Sequence, residues 1–171
     1  MAKRPTGIAE RALPMRPFSE SLPMALLRSR EAVMRLFRPG LRKHGVSEQQ
    51  WRILRALAHS GPMEVTELAA ATFLLAPSLS RILPDLEKRG LIARRQVDTD
   101  LRRSVVSLEA KGLRVIAEHA PYSEQMYAKI ARHFGAERTG QLLTLLQELE
   151  ASLTELSREQ QTGLNRRRSS R

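Results

Sequence analysis

The chain contains no cysteine. Disulfides, thiol-based redox sensing and cysteine–zinc centres are thereby excluded. Aromatic residues make up only 4% of the 171 residues and are not clustered on strands. The base-stacking platform of a single-strand or RNA binder is therefore missing. No apolar run approaches the roughly 18 residues of a transmembrane helix. Pro5, Gly7, Glu10 and Pro14 interrupt the basic start, so no secretory signal is legible. The expectation is a soluble cytoplasmic protein with no membrane role. A glycine-rich phosphate loop is also lacking, and His44, His59, His119 and His133 lie scattered without ligand-like spacing. With no nucleophile beside an evident base, the chain reads as a non-enzyme with no metal and no cofactor.

What the sequence does have is positive charge. The formal net charge is +11, which points to a polyanion as partner. Much of the excess sits at the ends, in Lys3, Arg4, Arg11 and Arg16 and in Arg166, Arg167, Arg168 and Arg171. Without these eight bases, and without Glu10 and Glu20, 21 bases face 16 acids and the body carries +5. Residues 1–21, with prolines at 5, 14 and 17, read as a flexible basic lead-in, and Met15 is a second candidate start. Residues 160–171 read as a disordered basic tail.

Between the ends the periodicity is helical. Leu22, Leu26, Val33, Phe37 and Leu41 recur at helix spacing up to His44, and Gly45 stops the run. Ser47 and Gln50 form a capping-box pattern for a second helix carrying Trp51, Leu54, Leu57 and Ala58, ended by Gly61-Pro62. A short helix over Val65–Ala71 follows, then a loop at Thr72–Leu75, then a third stretch from Pro77 to Arg89 closed by Gly90. Leu91–Arg95 and Ser104–Leu108 flank a charged tip at Asp98–Arg103 and read as a hairpin. The remainder is helical, with a break expected at Ala120-Pro121 and a leucine stripe (Leu142, Leu145, Leu146, Leu149, Leu153, Leu156) running to about Glu159. That stripe either packs within its own domain or makes a homodimer; dimerisation is favoured because the long first and last helices need a partner surface. The organisation is thus mainly α: a winged helix-turn-helix over 47–108, with dimerisation helices over 22–44 and 109–159.

Two helices joined by a short turn and followed by a hairpin is the order of a duplex-DNA reader. In the third stretch Leu79, Ile82, Leu83 and Leu86 fall on one face and Ser78, Arg81, Asp85 and Lys88 on the other. Short hydroxyls permit close approach to the major groove, and an arginine can take phosphate or guanine. At the hairpin tip Asp100 can fork one of Arg102 and Arg103 while the other reaches a minor groove. Pro84 is the irregular member, removing a bond to Ser80, so a kinked helix is expected.

These residues resemble the MarR family. Trp51, Leu68-Ala69, Pro77–Arg81, Leu86–Ile92, Asp100-Leu101-Arg102 and Val106–Leu108 carry the likeness. The stretches Met15–Phe18, Leu22–Arg28 and Phe73–Ser78 are similar to the branch that regulates operons for 4-hydroxyphenylacetate and homoprotocatechuate degradation. The resemblance covers Met15 to Leu153. It implies a homodimeric repressor on a pseudo-palindromic operator in double-stranded DNA, with contacts at Ser78, Ser80, Arg81, Asp100, Arg102 and Arg103. It also implies release by a small aromatic acid bound between the winged domain and the dimerisation helices. Pro84 and Glu109 depart from the family pattern, with Ser107 an alternative cap for the next helix.

A pocket for such an acid wants apolar walls and one cation. Arg30, four residues after Leu26 and three before Val33, projects along the apolar side of its helix, away from Arg28, Glu31 and Arg35. Ser29 shares that inner side, and Trp51 opens the second helix nearby. The other readings of these residues are a snorkelling or ion-paired Arg30, a core Trp51, and a helix-end role for His44. Two functional alternatives stand beside the repressor: a sequence-independent nucleic-acid binder driven by charge, and an activator of another phenolic-compound pathway.

Overall fold

The structure is a computed structural model that describes residues 16–97 and 100–169. Behind a short 3-10 turn at Phe18–Glu20 the elements are α1 (Leu22–Lys43), α2 (Glu48–Ser60), β1 (Met63–Glu64), α3 (Val65–Thr72), α4 (Ala76–Lys88), β2 (Ile92–Val97), β3 (Asp100–Leu108), α5 (Ala110–Phe134) and α6 (Ala136–Ser169). This is a mainly α chain carrying a winged helix-turn-helix. Met1–Met15 and the hairpin residues Asp98 and Thr99 lie outside the described residues.

Local signals set the boundaries. The Ser47 hydroxyl accepts from the Gln50 N–H at 3.2 Å, and the Gln50 side chain accepts from the Ser47 N–H at 2.9 Å. The expected capping box therefore opens α2. Gly90 takes φ +67°, and the Leu91 N–H returns to the Leu86 carbonyl at 3.0 Å, so α4 ends in the left-handed turn that glycine tolerates best. Ser107 does not cap α5: it lies inside β3, paired with Ala93, and the helix begins after Glu109.

The sequence predicts a break at Pro121 and a helix kept, though kinked, across Pro84. Pro121 does not break α5, which runs on from Ala110 to Phe134, and α4 is likewise continuous across Pro84. In both cases the proline and the residue four positions earlier, Ser80 or Ala117, are exposed. At an exposed position water can reach a carbonyl that loses its N–H partner, so the helix forfeits one bond without the cost of a buried acceptor.

The sheet is antiparallel in the order β1-β3-β2, with Met63 opposite Val106, Ile92 opposite Leu108, and an irregularity at Gln96/Val97. The two-residue β1 went unread because it is too short to show alternation. The core gathers Ile53, Leu54 and Leu57 of α2, Leu68 of α3, Leu79, Leu83 and Leu86 of α4, and Leu91, Ile92 and Val106 of the wing. Each fully buried side chain of this kind contributes about 1.5–3 kcal/mol. Ile82 packs at the edge of the cluster. At the start of α5, a Cβ on Gly112 would stand 2.3 Å from the Leu91 carbonyl oxygen, so only glycine lets helix and wing approach this closely.

The chain divides into two compact units, one up to Pro121 and the other from Tyr122 on. In the second, Gly135 (φ +100°) separates α5 from α6, and Arg138 lies over the Phe134 ring at 4.6 Å. Leu142, Leu145, Leu146, Leu153 and Leu156 are all exposed on α6. The helix continues to Ser169, past the expected end near Glu159, because no proline interrupts it; the Ser157 and Thr162 hydroxyls donate to carbonyls one turn back. Among the described residues no helix is long and apolar enough to cross a membrane.

Candidate nucleic-acid interface and effector site

The α4 helix supplies the first part of the interface. Leu79, Leu83 and Leu86 are buried on one side, which leaves Ser80, Arg81, Pro84, Asp85 and Lys88 exposed on the other. Ser78 is half-buried. The Ser80 hydroxyl donates to the Ala76 carbonyl at 3.1 Å, which keeps it close to the helix with its lone pairs outward. Arg81 Nε lies 3.4 Å from the Pro77 carbonyl, so the guanidinium stands along the helix surface rather than over the core. Asp85 accepts from the Gln50 amide at 2.8 Å and from Arg89 at 3.4 Å, and so ties α4 to the start of α2. Glu87 and Arg94 do the same between α4 and β2, through bonds of 2.8 and 2.5 Å. The Arg94 hydrogen bond holds the Glu87 carboxyl below its ordinary range. The exposed face of α4 is thus fixed at both sides.

In the wing, Arg103 has a partner on the neighbouring strand. Arg103 donates through Nε to Glu64 of β1 at 3.0 Å, and a second Arg103 bond to the same carboxylate completes a fork. Its guanidinium is directed to the neighbouring strand and remains half exposed. Glu64 lies 39 residues away along the chain, a pairing that no local pattern could reveal. Asp100 and Arg102 stand on β3, and their side chains lie outside the described residues.

The effector candidates come together only in part. Arg30 donates to Glu31 at 2.8 Å and to Glu48 at 2.5 Å, while Arg38 bonds the same two carboxylates, at 2.6 Å to Glu31 and more closely to Glu48. The α1–α2 junction is therefore a four-member ion cluster, and Glu31 meets Arg30 instead of facing away from it. Burial alone would raise the Glu48 carboxyl, yet the bonds from Arg38 and Arg30 hold it below its ordinary value. The Arg38 guanidinium is correspondingly raised, first by its bond to Glu31 and then by Glu48. Arg52 is lowered, by burial and then by the nearby Arg30 charge, and donates to the Thr72 carbonyl at 2.7 Å. Ser29 is exposed beside Arg30.

Trp51 faces elsewhere. Its ring packs edge-on against buried His119 at 4.5 Å, and His119 in turn meets His44 edge-on at 5.7 Å. Burial, then the neighbouring His44, pushes the His119 imidazole below its ordinary pKa, against a hydrogen bond with the Gly40 backbone. His44 caps the end of α1, with Nδ1 3.6 Å from Glu118. The apolar periodicity of α5 carried no sign that a histidine would be its most buried polar member.

A family model described as MarR family matches residues 44–103, from the end of α1 into the wing. The homoprotocatechuate degradative operon repressor of Escherichia coli is 40% identical over 132 residues, covering 77% of this chain and 89% of the relative. The chain belongs to the MarR family. As a MarR-family member it is a transcriptional regulator and not an enzyme. The structure of NadR in complex with 4-hydroxyphenylacetate is 36% identical with a TM-score of 0.68, covering 80% of this chain and 97% of that one. The transcriptional repressor CouR, bound to a 23-mer DNA duplex, is 25% identical with a TM-score of 0.71, covering 81% of this chain and 98% of that one. The MarR fold of this regulator thus extends well beyond the matched winged segment.

Proposed function

We propose that this MarR-family regulator is a cytoplasmic repressor of an operon for 4-hydroxyphenylacetate and homoprotocatechuate breakdown. It binds a pseudo-palindromic operator as a homodimer and leaves it when a small aromatic carboxylate binds. The likeness to the homoprotocatechuate operon repressor carries this reading, and the likeness to a structure holding 4-hydroxyphenylacetate supports the effector class.

In this reading the first turns of α4 enter the major groove. Ser78 and Ser80 approach the bases, and Arg81 takes a guanine or a phosphate. Arg102 reaches the adjacent groove from the wing with Asp100 beside it, and Arg103, forked to Glu64, supports the wing and lends charge. The exposed leucines of α6 and the exposed Leu22, Leu26 and Val33 of α1 bury against a second copy.

Arg30 is the cation offered to the effector, with Ser29 as a hydrogen-bonding neighbour. Both carboxylates that hold Arg30 are shared with Arg38, so Arg30 can exchange them for a ligand carboxylate without leaving either one unpaired. Ligand binding then weakens operator binding to the extent that it favours a different spacing of the two α4 helices.

The DNA half is tested by competition at fixed salt. The chain's own upstream DNA should survive an excess of random duplex that strips a charge-driven binder. Equal displacement by random DNA would favour the sequence-independent alternative.

A further inference from the structure

The turn between α3 and α4 carries two large apolar side chains in water. Phe73 is 79% exposed and Leu75 is 77% exposed, while Leu74 between them is buried in the core. Phe73 also sits in the left-handed region, at φ 52°, ψ 40°, as the residue that closes α3. It is the one non-glycine residue with positive φ among the described residues. Glycine or asparagine fills such a position without strain. Leu75 is the N-cap of α4 and makes no side-chain capping bond, where serine or aspartate would stabilise the helix. At both positions the local structure favours a small polar residue, and the sequence places a large apolar one. Strain at Phe73 and exposure at both Phe73 and Leu75, on either side of one buried residue, point to a contact outside the chain.

The place of the pair selects the occupant. It adjoins Ala76-Pro77-Ser78, the N-terminal turn of the helix proposed to enter the major groove, and so continues that interface. A patch of two side chains is far smaller than the roughly 1,000 Å² that a stable protein contact requires. The apolar surface offered to a second copy lies instead on α1 and α6. The major groove, by contrast, displays an apolar feature of matching size, the thymine 5-methyl group.

We propose that Phe73 and Leu75 read thymine methyl groups at the edge of the half-site, beside the bases met by Ser78 and Arg81. This rests on the DNA-binding reading above. It adds a base-specific apolar contact from the turn itself, not from the polar face of α4.

Replacing single operator thymines with deoxyuridine removes one methyl group and nothing else. Wild-type binding should fall about fourfold at one or two such positions, the value of one buried methyl. Phe73→Asn and Leu75→Ser suit their local backbone, so both variants should melt no lower than wild type. At least one should bind the unmodified operator more weakly by a similar factor, ignore the deoxyuridine change at its own position, and bind random DNA unchanged. Deoxyuridine losses identical in wild type and variants, or no loss in wild type, would overturn the assignment while leaving operator binding intact. An equal loss on random DNA would also overturn it. A wild-type protein that fails to prefer its operator over random DNA would remove the underlying DNA reading as well.

Discussion

Replacing Pro84 with alanine should make the protein more stable. Proline in a helix interior is about 3 kcal/mol less favourable than alanine, through a missing N–H and a ring that crowds the preceding turn. That value is a ceiling here. The α4 helix already runs continuously through Pro84, and Ser80 and Pro84 are exposed positions, so no desolvation cost is recovered. Substitution restores one exposed backbone bond, worth about 0.5–1.5 kcal/mol, and relieves the ring contact. Against this, a more flexible unfolded chain takes back about 0.4–1 kcal/mol. These two terms nearly offset each other, so the gain comes mainly from relief of the ring contact; below the ceiling it is about 1–2 kcal/mol, which in a chain of this size corresponds to a rise of about 2–8 °C in melting temperature. Circular-dichroism melts of Pro84→Ala and wild type at one protein concentration read it directly. An unchanged or lower melting temperature would refute the reasoning and mean that the surrounding packing has been built around the proline.

Other outcomes follow from single contacts. Gly112→Ala should lower stability by about 1–3 kcal/mol, the usual cost of overpacking, because its methyl would meet the Leu91 carbonyl and the Leu108 side chain; a melt indistinguishable from wild type would contradict it. Glu48→Gln should flatten the acid limb of stability. A carboxyl held low in the fold stabilises above its unfolded pKa, near 4.5, and that contribution is lost as pH falls through the folded value. Urea unfolding at pH 7 and pH 3 measures the difference, and equal pH dependence in variant and wild type would count against the ion cluster. His119 is buried with a depressed pKa, so the unfolded chain takes up its proton first. Stability should therefore decline as pH drops below about 6.5, and His119→Gln should lessen that slope between pH 7 and pH 5. An identical slope in both proteins would mean that other groups carry it. Arg30→Ala should require a much higher concentration of 4-hydroxyphenylacetate for operator release, and unchanged release would take Arg30 out of the mechanism.

The winged fold was legible because its signals are local. Capping at Ser47 and Gln50, the four- and three-residue spacing of Leu79, Leu83 and Leu86, and turn glycines such as Gly90 each act over a few residues. What escaped was set by tertiary contact or by solvent. Exposure of Ala117 and Pro121 lets α5 run on where a break was expected, and periodicity cannot report on solvation. Arg103 meets Glu64, and Arg30 meets Glu48 as well as neighbouring Glu31; Glu64 and Glu48 lie 39 and 18 residues away along the chain. Choosing them requires knowing which strand or helix end lies alongside. Trp51 was placed correctly on its helix, but its neighbour, His119, comes from 68 positions later in the sequence. The exposed pair Phe73 and Leu75 was visible as sequence but not as exposure, since a Phe-Leu-Leu run reads as core until only its middle member is found buried.

The central claim, a repressor released by an aromatic acid, is tested most directly by titrating 4-hydroxyphenylacetate into the preformed complex of the protein with its own upstream DNA. Fluorescence anisotropy at constant salt would follow the complex. The account predicts saturable release of the operator, with the 3,4-dihydroxy acid acting likewise and an aromatic amine of the same size having no effect. Retention of the complex at every concentration of both acids would contradict it.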